Sequence, residues 1–307
     1  MTFLTSIIVP MKNESAGLKT LFDRLFPILE PLGKYEIICI DDGSTDNTLE
    51  LLRAESLSNS RIKALSLSRN FGKEAALTAG LEAATGDIII PIDADLQDPP
   101  ELIPEMIAKW KEGYKVVLAT RKSRDESWMK RKSAEGFYNV MGRLGTVKIP
   151  KNTGDFRLMD RAVVEAIKQL PERTRFMKGL FAWAGFPTTT IYFDRPQRFA
   201  GKTNWNYWKL WRFALDGIFS FTTFPLKIWT YIGVIISLLS FIYGSWMIIR
   251  TLIYGVDVPG YASIMAVMLF LGGIQLISLG IIGEYIGRIY RETKQRPLYI
   301  IKEKIGF

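Results

Sequence analysis

Two long runs without a formal charge constrain this chain more than any other feature. Ile228 to Ile249 spans 22 residues and Val258 to Gly283 spans 26. At 1.5 Å rise per residue, a helix of either length exceeds the roughly 30 Å hydrocarbon thickness of a bilayer. The competing reading, two buried core helices, fits such lengths poorly. The connector from Arg250 to Asp257 is short, so the runs predict a transmembrane hairpin whose flanks share one side. Beyond it stand Arg288, Arg291, Lys294, Arg296, Lys302 and Lys304, against Arg250 alone in the connector. Lys and Arg accumulate on the cytoplasmic side of membrane proteins, so both flanks are expected there. Just before the hairpin, Trp205, Trp208 and Trp211 fall on one helical face, with Lys209 and Arg212 between them. A core-facing helix would show the same spacing; next to a span, an amphipathic helix at headgroup depth is the better expectation.

Before Pro225 the pattern changes. Ser6–Val9, Glu36–Ile40, Ile62–Leu67, Asp87–Ile92 and Lys115–Ala119 read as strands. Helical patterns run up to Glu30 and over Asp46–Ser56, Lys73–Ala84 and Glu101–Glu112. This alternation predicts an α/β fold with right-handed crossovers and a mostly parallel sheet. Ligands of such sheets bind beyond the carboxyl ends of the strands. The expected organisation is an α/β domain over 1–204, an interfacial helix over 205–226, the hairpin over 227–288 (about 228–250 and 260–284) and a basic tail over 289–307. No signal-peptide pattern precedes the first strand, which predicts that the α/β domain stays in the cytosol.

Composition removes several chemistries. The chain has no His and one Cys among its 307 residues. Without imidazole there is no Ser-His-Asp or Cys-His catalysis and no His-ligated zinc. Cys39 alone makes no intramolecular disulfide, and its apolar surroundings mark it as core rather than nucleophile. The net charge of +9 suits anionic partners such as phosphates, nucleic acid or an anionic leaflet. No nucleic-acid-binding module is recognisable, so nucleic acid is not the expected partner.

The acids sit where a strand-end site needs them. Asp41-Asp42-Gly43-Ser44 follows the second strand and Asp93-Ala94-Asp95 the fourth. Two carboxylates one residue apart can hold a hard divalent cation that keeps waters and borrows substrate phosphate oxygens. Such an ion neutralises charge on a departing diphosphate. Solvated loop acids or helix caps are the plainer reading of an isolated Asp-x-Asp, and Asp42 could simply close an Asx-turn with Gly43. Arg121, Arg124, Lys130 and Arg131 follow the fifth strand, and Arg198 and Lys202 lie just ahead of the tryptophans. Cationic donors at headgroup depth suit a lipid phosphate; an ordinary positive-inside patch is the alternative. Gly201-Lys202-Thr203 does not close a P-loop, because the position of that motif's first glycine holds Pro196.

Five segments in order sharpen the reading: Val9-Pro10-Met11-Lys12-Asn13-Glu14, Asp41-Asp42-Gly43-Ser44, Asn70-Phe71-Gly72-Lys73, Asp93 to Glu101, and Asn152-Thr153-Gly154-Asp155-Phe156-Arg157. On these the chain resembles the inverting family 2 glycosyltransferases of GT-A fold. It looks most like the dolichyl-phosphate mannose synthase branch and, within it, the bacterial and phage bactoprenol glucosyltransferases. The resemblance covers essentially the whole chain, including Leu271-Gly272-Gly273-Ile274-Gln275 and Gly283-Glu284-Tyr285-Ile286-Gly287-Arg288.

The resemblance implies roles residue by residue. Pro10, Asn13 and Glu14 belong beside the nucleoside, and Asp41 and Asp42 at base and ribose. Lys73 and Asp93 join them in the donor site. Asp93, Asp95 and Gln97 form the metal motif for Mg²⁺ or Mn²⁺, with Asp95 and Asp155 catalytic. Asp155 is either the reacting or orienting acid or a structural acid paired with Arg157. A phosphomonoester, with a second pKa near 6, is largely dianionic at neutral pH and can attack without a general base. By charge and position rather than by the resemblance, Arg121, Arg124, Arg131, Arg198 and Lys202 are expected to bind the acceptor phosphate.

The implied reaction is inverting transfer of a hexose, glucose from UDP-glucose, to undecaprenyl phosphate on the cytoplasmic face of the bacterial inner membrane, as in lipopolysaccharide modification. Galactose, a hexosamine or mannose are the alternative sugars, and a homo-oligomer, with a tetramer as one form, is the implied assembly. A processive polysaccharide synthase would carry a Gln-x-x-Arg-Trp motif and more spans. A nonenzymatic membrane scaffold would not require the series of strand-end acids.

Overall fold

The computed structural model describes residues 3–121, 153–173, 175–194, 224–255 and 260–307. Arg124, Lys130, Arg131, Arg198, Lys202 and the three tryptophans of the expected interfacial helix lie outside the described residues. Two compact units divide the chain: Met1–Gly217 with Arg296–Phe307, and Ile218–Gln295.

The first unit is an α/β fold on one sheet. Its strands are β1 (Leu4–Met11), β2 (Lys34–Asp41), β3 (Ile62–Leu67), β4 (Ile88–Pro91), β5 (Val116–Arg121), β6 (Thr153–Asp160), β7 (Thr188–Phe193) and β8 (Ile301–Ile305). The helices are α1 (Leu18–Leu29), α2 (Thr48–Ser58), α3 (Lys73–Ala83), α4 (Ile103–Lys111), α5 (Arg161–Lys168) and α6 (Met177–Trp183). Strand order is β7-β5-β6-β4-β1-β2-β3-β8. The central run β4-β1-β2-β3 is parallel throughout. Its strands are continuous apolar runs because helices cover both faces. Ile7, Val9, Ile37 and Cys39 meet Leu21, Phe22 and Leu25 of α1 in one buried cluster. Opposite, α3 lies directly on the sheet. A Cβ on Gly80 would strike the side chains of Ile8 and Ile40, so only glycine lets the helix approach this closely.

The five strands read from the sequence are present, and three more complete the sheet. β6 inserts antiparallel between β4 and β5, β7 extends β5 in parallel, and β8 pairs antiparallel with β3. The segment expected as a plain basic tail thus contains a strand, whose Ile-Lys-Glu-Lys-Ile alternation suits a partly exposed edge. Arg53 pairs with Glu303, and the Ser68 N–H donates to the Ile300 carbonyl at 2.9 Å.

The second unit holds α7 (Phe224–Tyr254) and α8 (Tyr261–Thr293). Both are long and apolar enough to cross a membrane. Leu238, Phe241, Leu269, Phe270 and Leu276 are exposed on them, as lipid-facing positions would be. α8 continues past the uncharged run to Thr293, through an Arg288–Glu284 pair one turn apart at 2.8 Å. Its 33 residues rise about 50 Å, more than the apolar run alone needs.

Candidate active site

The carboxyl edge of the parallel strands gathers most of the singled-out residues that are described. β1 ends at Met11, opposite Asp41 at the end of β2. The connection after β1 turns at Asn13, whose φ of 56° is left-handed, a conformation Asn tolerates better than most residues. The Asn13 carboxamide oxygen accepts from the Thr45 N–H at 2.8 Å, and its own N–H donates to Ser44 Oγ at 2.9 Å. The Glu14 N–H donates to Thr48 Oγ1 at 3.0 Å. Pro10 pairs with Ile40 within the sheet.

Asp41 and Asp42 are buried and serve the loops around them. Asp41 accepts from the Ser44 N–H at 3.0 Å and from Ser66 Oγ at 3.2 Å. Asp42 takes the Phe71 and Gly72 N–H groups, one on each oxygen, at 2.7 and 2.9 Å. Both Asp42 oxygens thus tie the loop ahead of α3, in place of the alternative Asx-turn with Gly43. Gly43 allows the tie: at φ +66°, its added Cβ would lie 2.6 Å from the Arg69 carbonyl carbon.

β6 explains how Asp155 reaches this edge. It runs antiparallel to β4, with Ile88 opposite Asp160 and Ile89 opposite Met159. Continuing that register brings Asp93 opposite Asp155. Lys73, the first residue of α3, bridges them. Its Nζ lies 2.6 Å from Asp93 Oδ1, 2.9 Å from Asp93 Oδ2 and 2.6 Å from Asp155 Oδ2. Burial alone would raise the Asp155 carboxyl; the charges of Lys73 and Lys178, with the Lys73 hydrogen bond, outweigh it and hold the group well below the usual carboxylate range. The alternative pairing of Asp155 with Arg157 is not what forms. Arg157 is buried and donates to the Gly154 and Asp155 carbonyls at 2.7 and 3.3 Å, with its guanidinium 4.1 Å from the Phe181 ring centroid.

The loop after β4 carries the rest. Leu96 is left-handed at φ 58°, a strained conformation of the kind that clusters at functional sites. Gln97 is buried, and its N–H donates to Asp95 Oδ1 at 3.2 Å. Asp98, also buried, faces Arg121 at 3.8 Å. Burial and the Asp93 charge push the Asp98 carboxyl up against the pull of Arg121. Of the five cations expected at the acceptor phosphate, Arg121 is the one described, at the same sheet edge.

Sequence reasoning missed Glu74 and Lys178. Glu74 is half-buried next to Lys73 and accepts from the Met177 N–H at 3.3 Å, which docks the start of α6 on the start of α3. Burial, then the Asp155 charge, push it up to about 8. Lys178 lies beside the same acids, and burial lowers it. The available signal was their positions, one beside Lys73 and one at the start of a helix; neither is diagnostic alone.

The profile described as "Glycosyl transferase family 2" matches residues 6–168, more than half the chain and all the strand-end acids. The chain belongs to glycosyl transferase family 2. It is a glycosyltransferase, and its α/β unit is GT-A-like. A second profile, "GtrB C-terminal hairpin", matches residues 224–289, the two long helices. An uncharacterised glycosyltransferase of Synechocystis is 62% identical over 100% of this chain and 97% of its own length. The bactoprenol glucosyl transferase of Shigella phage SfX is 51% identical over 97% of this chain and 99% of its own. A prophage bactoprenol glucosyl transferase homolog of Escherichia coli K12 is 52% identical over 97% and 98%.

A divalent ion that hard oxygen donors share with a diphosphate is one the residues here fit. Asp93 already holds a cationic group on both its oxygens, and carboxylate oxygens suit Mg²⁺ or Mn²⁺. Among the described residues no group of three or more acidic, His or Cys side chains surrounds a common point.

Proposed function

We propose that this glycosyltransferase moves glucose from UDP-glucose to undecaprenyl phosphate, or a related polyprenyl phosphate, at the cytoplasmic face of the bacterial inner membrane. The observation that carries the reading is near-full-length similarity to a bactoprenol glucosyl transferase, hairpin included. The two exposed apolar helices support a lipid acceptor. Pro10, Asn13, Glu14, Asp41 and Asp42 line the nucleoside side of the site, and Arg121, Arg124, Arg131, Arg198 and Lys202 receive the acceptor phosphate.

In this reading a phosphate oxygen attacks the anomeric carbon as the bond from that carbon to the diphosphate breaks. The configuration inverts, and the product is a sugar joined to the lipid through one phosphate. The acceptor is largely dianionic at neutral pH, since phosphomonoesters lose their second proton near pH 6. Asp155, a weak base, then orients the sugar rather than removing a proton. Asp93, Asp95 and Gln97 would hold Mg²⁺ or Mn²⁺, which when bound would supply positive charge to the departing diphosphate. Lys73 adds a second positive charge at the same point, and the fixed site contributes positioning and preorganised charge.

The test uses the purified full chain with UDP-glucose, UDP-galactose, UDP-N-acetylglucosamine and GDP-mannose against short polyprenyl phosphates. Radiolabel from UDP-glucose should enter the lipid fraction, stop with EDTA and return with Mg²⁺ or Mn²⁺. Transfer from another donor alone would replace glucose in this reading. Activity with no polyprenyl phosphate under any donor would overturn it.

A further inference from the structure

Asp93 does not present an open pair of oxygens. The Lys73 ammonium touches both of them, and a third contact goes to Asp155. Three carboxylate oxygens, two from the loop after β4 and one from β6, thus converge on one nitrogen. The Lys73 backbone is fixed by the Phe71–Gly72 turn, whose N–H groups are tied to Asp42. The four-carbon stem above it is rotatable, and Lys73 keeps 44% of its side-chain exposure. An ammonium at 2.6–2.9 Å from both Asp93 oxygens excludes a metal ion from those oxygens. A nucleoside diphosphate brings anionic oxygens that offer the ammonium another partner.

We propose that Lys73 occupies the cation position of Asp93 until a nucleoside diphosphate draws it away, which makes divalent-cation binding conditional on the donor. The inference rests on the nucleotide-sugar reading above. It adds an order: Lys73 moves to a phosphate oxygen, Asp93 is released, and the ion enters together with the diphosphate. Linkage is reciprocal, so nucleotide and ion then strengthen each other by the same factor.

The experiment measures free Mn²⁺ by electron paramagnetic resonance with the full chain in detergent, alone and with UDP or GDP. Wild type should bind Mn²⁺ weakly alone and much more tightly with the matching diphosphate. Lys73→Met removes the charge but keeps the stem. It should bind Mn²⁺ alone about 10-fold more tightly than wild type, equivalent to ~1.4 kcal/mol. Its nucleotide–metal coupling, read by calorimetry, should shrink. Lys73→Arg retains a cation and should retain the block. Unchanged or weaker Mn²⁺ binding by a folded Lys73→Met protein would overturn the proposal. So would wild-type Mn²⁺ affinity that is the same with and without nucleotide, a result that needs no variant. If neither UDP nor GDP binds, the donor reading fails instead, while the Mn²⁺-alone comparison of the two proteins still decides the role of Lys73.

Discussion

Asp155 keeps its negative charge in a half-buried place because two lysines face it. A carboxyl held that low has little affinity for a proton, and its titration should be absent from the working pH range. The acid limb of kcat/KM should therefore follow the acceptor phosphate, near pH 6. Exchanging the lipid phosphate for its methylene phosphonate, a weaker acid, should move the limb upward. Asp155→Asn should cut kcat by roughly 100-fold or more, as loss of a preorganised charge does, and leave the limb of the residual activity in place. A limb that moved with Asp155→Asn would make this residue the base. Glu74 behaves oppositely. Burial, then Asp155, raise it from its ordinary 4.5 to about 8. Over that window the folded protein holds a proton that the unfolded chain has released, so stability falls as pH rises. Glu74→Gln should melt like wild type near pH 5 and several degrees higher near pH 9. Parallel melting curves at both pH values would refute the assignment.

At the scale of elements, the legible parts of the sequence were those with one dominant period. β1 to β5 are apolar runs, and the ends of β2 and β4 announced the acid loops. β6 was hidden by its own chemistry, since Thr-Gly-Asp-Phe-Arg-Leu-Met-Asp carries two acids and an arginine, and Arg157 and Asp160 are buried. Arg157 is buried against carbonyls and a Phe181 ring, a packing that no hydropathy pattern shows. Without β6 the meeting of Asp93 and Asp155 was not deducible from spacing. β8 was hidden by its charges. It covers β3, which supplies Ser66 to Asp41 and leads into the turn that ties Asp42. Lys304→Pro, opposite Leu65, removes a ladder position. It should lower the melting temperature and weaken nucleotide binding several-fold, both measurable by calorimetry; intact nucleotide affinity would make β8 a stability element alone.

At the scale of the whole molecule, the charge asymmetry around the hairpin predicts an arrangement in the bilayer. In a Cys39→Ser background, Asp257→Cys should react with an impermeant maleimide from outside the cytoplasmic membrane, and Lys304→Cys only after the membrane is opened. The reverse labelling would invert the topology. The Cys39 substitution is conservative in size, though a hydroxyl in so apolar a cluster carries a stability cost to be checked first. The strand order has a further consequence, for synthesis. β8 follows both long helices in the chain, yet its partner β3 is made before either. A ribosome adding about 5–20 residues per second leaves the β3 edge without its partner for more than ten seconds. During that interval the α/β unit is a sheet with one open side, the state in which strands pair with the wrong neighbour. On the membrane reading proposed above, delivery of the hairpin to the bilayer and closure of the sheet are successive events in the birth of one molecule. A stalled insertion should therefore leave an unclosed, aggregation-prone enzyme.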